Sequence, residues 1–108
     1  MEPRKKKTLF CQLDCRGKRH PAVVLDLSAS GLFVRLATAL PLGTEVGVTL
    51  RLAGGKEWNL RAELAREPQA DSSRGPLYGM GLGLRITEAP DGFAEFVESL
   101  KPDSRYST

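Results

Sequence analysis

The sequence contains few of the side chains on which most enzymes and metal sites depend. Its 108 residues include one histidine and two cysteines. A serine–histidine–aspartate arrangement needs a histidine as its base, and His20 lies in a basic segment beside Pro21, a poor place for a buried base. A structural zinc site needs about four ligands, more than these three residues supply. The composition therefore predicts a binding protein rather than an enzyme, with no metal and no other cofactor.

Long hydrophobic runs are also missing. No apolar run approaches the ~18 residues that span a bilayer, and no apolar segment follows the basic N-terminus as it would in a secretory signal. We therefore expect a cytoplasmic protein without a membrane span. A chain of 108 residues suits one domain with a modest core.

Cys11 and Cys15 are four residues apart. On a strand they would share a face at a separation of about 13 Å, which is too far for a disulfide between them. We expect two reduced thiols that face the core.

The excess positive charge is concentrated at the N-terminus. Residues 1–20 contain seven lysines and arginines against two acidic residues, whereas the remainder contains nine against eleven. This placement favours an anionic partner such as a nucleotide, a nucleic acid or a membrane surface, although a solvated basic tail explains it equally well. We predict a flexible basic arm over residues 1–8, a domain over 9–101 and a flexible tail over 102–108.

Six segments have the pattern of short β-strands. In each, polar and hydrophobic residues alternate, or β-branched and apolar residues lie between turn residues. The predicted strands are 9–15, 22–27, 32–36, 45–52, 58–67 and 78–86. The last of these is rich in glycine, which permits a bend or a close approach of the backbone.

One helix is predicted near the C-terminus, over residues 91–100. Four apolar residues recur there at the spacing of one helix face: Phe93, Phe96, Val97 and Leu100. With the strands, this helix predicts a small antiparallel barrel or sandwich, with the helix over an open end or edge. We expect Trp58, Phe33 and the helix aromatics in the core.

The segment 26–31, with the sequence DLSASG, is the most informative part of the chain. A carboxylate and a hydroxyl two residues apart at a strand end can point the same way. Asp26 can accept hydrogen bonds from paired N–H donors such as the edge of a guanine, and Ser28 can donate or accept beside it. Gly31 permits a backbone conformation barred to other residues. An ordinary turn between two strands explains the same residues.

This segment resembles the Asp/Asn-x-Ser-x-x-Gly signature of PilZ domains, which are bacterial receptors for cyclic di-GMP. Asp26, Ser28 and Gly31 match its three fixed positions. The segment 32–35 looks like the family's next strand, and the segment 78–84 is similar to its late Gly-Met-Gly-hydrophobic strand, which a short amphipathic helix follows. The resemblance covers about residues 4–101. It implies a mainly β fold, a six-stranded antiparallel PilZ-like β-barrel with one C-terminal α-helix.

The family's other motif, Arg-x-x-x-Arg on the N-terminal arm, is matched in part. Arg4 occupies the first position and Thr8 stands where the second arginine belongs. The resemblance implies a cyclic di-GMP site formed by Arg4, Lys5, Lys6, Lys7, Asp26, Ser28 and Gly31. Arg4 would hold phosphate or stack on a base, and the lysines would add electrostatic attraction, although lysine has neither the flat face nor the fork of arginine.

Three functions remain open. The first is a cyclic di-GMP-binding adaptor whose arm folds over the ligand and so creates or hides a surface for a downstream protein. The second is the same fold without the ligand, an interaction module that regulates motility, polarity or secretion, for which the missing arginine argues. The third is a small nucleic-acid-binding barrel, which ranks last because Phe10 is the one aromatic residue beside the basic arm.

Overall fold

The computed structural model describes residues 4–36, 40–65, 69–70 and 80–101. The first β-hairpin turns at Arg16 and Gly17. Both residues have positive φ angles, of 52° and 80°. A two-residue turn of this kind matches the twist of the strands that it joins. These strands are β1 (Lys5–Cys15) and β2 (Lys18–Leu27).

Within the described residues, seven strands form one antiparallel sheet. The strands after the first hairpin are β3 (Gly31–Leu36), β4 (Glu45–Arg51), β5 (Glu57–Leu64), β6 (Gln69–Ala70) and β7 (Met80–Glu88). Their order is β3-β2-β1-β4-β5-β7-β6, and β3 pairs also with β7. The six longer strands therefore close into a ring, with the two-residue β6 added beside β7. The predicted six-stranded antiparallel barrel is confirmed.

The start of β1 differs from the prediction. The strand begins at Lys5 rather than at residue 9, because residues 5 and 6 pair with the end of β2. Lys5 lies opposite Leu27 and Lys6 opposite Asp26. This stretch has no hydrophobic alternation, so its strand conformation depends on the neighbouring strand and is not visible in the pattern. The flexible arm, the domain boundaries and the tail stay predictions, and residues 1–3 and 102–108 lie outside the described ranges.

The barrel core is aliphatic and follows the alternation of the strands. Inward-facing residues from every long strand are buried, as predicted from their period of two: Leu13, Val24, Val34, Val48, Leu60, Leu82 and their neighbours. Cys11 and Cys15 are both free and buried on this inner face, which confirms the predicted reduced thiols. Phe10, on the outer face of β1, is 72% exposed.

A short helix packs against this core through an aromatic cluster. Helix α1 (Phe93–Ser99) buries Phe93 and Val97. Trp58 meets Phe93 edge-on, with ring centroids 5.6 Å apart, and lies 5.3 Å from Phe96. The helix begins two residues later than predicted because Gly92, with φ at 92°, occupies its N-cap. In the described part of the chain, no helix has the length and hydropathy needed to cross a bilayer.

Burial raises the pKa of the Cys11 thiol from 9.0 to about 12. The unfolded chain loses this proton near pH 9 and the folded chain near pH 12, so we expect the thiol to lower the free energy of unfolding as the pH rises through that window. At pH 8 the folded state would hold about a thousand-fold less thiolate than the unfolded state. In a Cys15→Ala variant, a thiol-reactive disulfide reagent should therefore label Cys11 slowly in buffer and rapidly in urea. Equal rates in a variant with an unchanged melting temperature would contradict this expectation.

Candidate functional site

The turn that follows β2 is held by the backbone and side chain of Ser28. The Ser28 N–H donates to the carbonyl oxygen of Gly31 at 2.8 Å, and the Ser28 hydroxyl accepts from the N–H of Ser30 at 3.4 Å. The Ser28 side chain is buried, with the residue 2% exposed. These contacts match an ordinary serine turn. Ser28 therefore fixes the course of the chain between β2 and β3 and is buried beside Gly31.

Arg4 forms an ion pair with Asp26 across the start of the first hairpin. The Arg4 Nε donates to Asp26 Oδ1 at 2.8 Å and its Nη2 donates to the same oxygen at 2.5 Å. The Arg4 side chain is 49% exposed and that of Asp26 is 26% exposed. Lys6 is the direct cross-strand partner of Asp26, and opposed residues project on the same side of a sheet. The structure thus brings Arg4, Lys6 and Asp26 to one surface.

The Lys5 side chain is directed away from Asp26 and towards the helix. It lies opposite the buried Leu27, and its Nζ donates to the carbonyl oxygen of Glu98 at 3.5 Å. Glu98 belongs to the last turn of α1, where carbonyl groups have no partner within the helix. The predicted cluster of one arginine and three lysines is therefore divided: Arg4 and Lys6 face Asp26, Lys5 contacts the helix, and Lys7 is half-buried in β1.

Glycine at position 31 is favoured by close packing and not, as predicted, by an unusual backbone conformation. Its φ is not positive, so no unusual backbone conformation is involved. A Cβ atom at this position would lie 3.1 Å from the carbonyl oxygen of Leu84 on β7 and 3.6 Å from Arg4 Nη1. Glycine therefore permits the close approach of β3 to β7, and the Arg4 guanidinium lies over the place where a side chain would stand.

Of the predicted site residues, Arg4, Asp26 and Gly31 line a recess of about 520 Å³ on the outer wall of the barrel. Arg4, Asp26 and Gly31 are joined there by Phe33, Gly83 and Arg85, among others. Phe33 was expected in the core, but it alternates with the buried Leu32 and Val34 and is half-buried on the outer face of β3. The recess thus combines charged groups, an aromatic ring and exposed backbone.

The Phe33 ring occupies the space of a missing side chain on β7. A Cβ atom at Gly81 would lie 2.5 Å from the Phe33 Cζ atom. Packing of an aromatic ring over a strand glycine is a known way of stabilising such a position. The close neighbour of Gly81 is thus an aromatic ring and not the backbone that was predicted; Gly79 lies outside the described residues.

Sequence reasoning missed Arg85 and Glu63. Arg85 is the direct partner of Gly31 in the β3–β7 pair and of Glu63 in the β5–β7 pair. Its Nη2 donates to Glu63 Oε1, and their side chains are 59% and 29% exposed. Strand alternation alone places Arg85 on the outer face, but its position beside Gly31 depends on barrel closure, which no local pattern reveals. In the described ranges, no group of three or more His, Cys, Asp or Glu side chains could hold a metal ion.

The barrel and the turn that follows β2 belong to a known domain family. The family model of the PilZ domain matches residues 1–99 of the chain. The chain therefore belongs to the PilZ domain family, which is a family of cyclic di-GMP receptors and non-enzymatic adaptor domains. No curated protein sequence matches it.

Two solved structures are similar in fold. The Bacillus subtilis inhibitor of motility, MotI/DgrA, superposes with a TM-score of 0.77 at 18% identity, over 90% of this chain and 46% of that one. The chain thus spans just under half the length of that protein. The PilZ domain of YcgR from Escherichia coli, solved with c-di-GMP, has a TM-score of 0.64 at 16% identity, over 90% of this chain and 84% of that one.

The close approach at Gly31 yields a stability prediction. A Gly31→Ala substitution should destabilise the fold by about 1–3 kcal/mol, because the Leu84 carbonyl oxygen belongs to the barrel ladder and has little freedom to move. Gly47→Ala is the matched control: it is also in a strand, but its nearest neighbour would be Asp14 Cβ at 3.7 Å. That substitution should be neutral or stabilising by about 0.4–1 kcal/mol. Urea unfolding of both variants measures the difference, and equal midpoints would contradict the proposed crowding.

Proposed function

We propose that this chain is a cyclic di-GMP-binding adaptor of the bacterial cytoplasm, which acts by binding and not by catalysis. The observation that carries the proposal is the convergence of Arg4 and Asp26 over Gly31, in one recess of about 520 Å³. A recess of that size is within the ~300–1,000 Å³ range of small-molecule sites. The family of the chain is one of cyclic di-GMP receptors.

The chemistry of the recess matches that of a guanine dinucleotide. A carboxylate such as Asp26 accepts paired hydrogen bonds from the N–H groups on a guanine edge. The Arg4 guanidinium presents a fork that fits phosphate oxygens, and Lys6 adds positive charge opposite Asp26. Ser28 and Gly31 contribute indirectly, because one fixes the turn and the other keeps the floor of the recess open.

Without a ligand, Arg4 is held by an ion pair that is weak enough for a ligand to replace. Ion pairs as exposed as Arg4–Asp26 contribute about 0–1 kcal/mol, so breaking this pair costs the folded protein little. A phosphate, which accepts both N–H donors of the guanidinium fork, can therefore replace Asp26 as the partner of Arg4, and this exchange frees the carboxylate for a base. Lys5, the next residue, contacts the end of α1, so the rearranged arm would change the surface around the helix, to which a downstream protein would respond.

The N-terminal arm departs from the arginine motif of the family, and this difference favours a second function. Thr8 stands at the position of the second arginine, and the Asp26 carboxylate is already occupied by Arg4. Both observations fit an interaction module that does not bind cyclic di-GMP and regulates motility, polarity or secretion through a protein partner. A nucleic-acid-binding barrel is less well supported, because Phe10 is a single exposed aromatic residue beside the arm.

Calorimetric titration with cyclic di-GMP tests the first function. We expect binding at micromolar concentrations or below, weakened about 10- to 150-fold by Arg4→Ala or Asp26→Ala, because each removes a hydrogen bond to a charged group. Arg19→Ala and Asp14→Ala are matched controls, since these two residues form another exposed ion pair, at 3.4 Å, that does not line the recess. Both controls should bind like the wild type.

The second function predicts a different result in the same experiment. The wild type would release no heat, and the amide resonances of residues 4–31 would not shift on addition of the dinucleotide. If Asp26→Ala binds cyclic di-GMP as tightly as the wild type, the proposed site is wrong although the proposed ligand is right.

A further inference from the structure

Two arginines from distant parts of the chain line the same recess as Gly31. Arg4 Nη1 lies 3.6 Å from the position that a Gly31 Cβ would take. Arg85 is the direct partner of Gly31 in the β3–β7 ladder, and both arginines line the same recess. The first arginine precedes β1 and the second belongs to β7, so closure of the barrel is what brings them together.

Each of these arginines is paired with one carboxylate in a similar setting. Arg4 donates to Asp26 and Arg85 donates to Glu63. The arginine side chains are 49% and 59% exposed, and the carboxylates are 26% and 29% exposed. Such half-exposed pairs orient the guanidinium but hold it weakly. The recess is therefore lined by two weakly held arginines: the partner of Arg4, Asp26, also lines the recess, whereas Glu63 holds Arg85 from β5 without lining it.

This arrangement fits a ligand with two phosphate groups. A guanidinium recognises phosphate through two parallel N–H donors, which an ammonium group cannot reproduce. Cyclic di-GMP has two phosphates related by its own two-fold symmetry. We propose that Arg85 supplies the second guanidinium of the ligand site, in place of the arginine that the arm lacks at Thr8. This inference rests on the proposed function, because it assigns a further residue to the same site.

Arg85 could act as a ligand contact or as a structural ion-pair partner of Glu63. These two roles predict different effects of a Glu63 substitution on ligand binding. If Arg85 binds the dinucleotide, removing its carboxylate partner leaves the guanidinium charged and available. If Arg85 acts only by holding Glu63 and the adjoining strands, loss of either partner has the same consequence. Glu63→Gln therefore separates the two roles, since glutamine retains the size of the side chain and removes its charge.

The test is titration of the full chain with cyclic di-GMP, using wild type, Arg85→Ala, Arg85→Lys and Glu63→Gln. We expect Arg85→Ala to weaken binding about 10- to 150-fold and Arg85→Lys to weaken it less, because charge remains without the fork. Glu63→Gln should bind as tightly as the wild type or more tightly. Arg61→Ala is the matched control, since it removes an exposed arginine on β5 that does not line the recess. Its affinity should be unchanged.

The outcomes distinguish this inference from the function on which it rests. If Arg4→Ala weakens binding but Arg85→Ala does not, the inference is wrong and the function stands. If Glu63→Gln weakens binding as much as Arg85→Ala, Arg85 has a structural role and the inference is again wrong. If the wild type does not bind, both fail. Melting temperatures of all variants without ligand show that each is folded at the temperature of the titration.

Discussion

The antiparallel ladder between β3 and β7 is the constraint on which the rest of the structure depends, because it closes the sheet into a barrel. Two glycines within that ladder make the closure possible. Gly31 lets the backbone of β3 approach the Leu84 carbonyl, and Gly81 leaves space for the Phe33 ring. Larger residues at these positions would separate the strands or displace the ring. Closure of the barrel therefore depends on the absence of a side chain at these two positions as well as on the aliphatic core.

The recess is a consequence of the same closure. The hairpin of β1 and β2 positions Arg4 on Asp26, and the β3–β7 ladder then places Arg85 on the other side of Gly31. Phe33 is directed outward by strand alternation and completes the wall. Because the contributing strands are held by one core, the backbone positions of these residues are fixed relative to one another. Their half-exposed side chains, in contrast, are free to change partners.

Most of the fold could be predicted from the sequence, and the site only in part. Alternation revealed the long strands and an apolar stripe revealed the helix, because both are local consequences of burial. The first residues of β1 were missed, since pairing with β2 and not burial orders them. Gly31 was identified through its motif but for the wrong physical reason. Arg85 has no local signature, because its significance arises from a partner far away in the chain.

The stability of the barrel and the ion pairs of the recess depend on different residues. The buried aliphatic residues provide the stability of the barrel, whereas the ion pairs of the recess are half-exposed and contribute little. An arginine can therefore exchange one anionic partner for another at small cost to the fold. Arg4 is followed directly by Lys5, which contacts the end of α1. This contact is the one through which the proposed displacement of Arg4 would reach the helix surface.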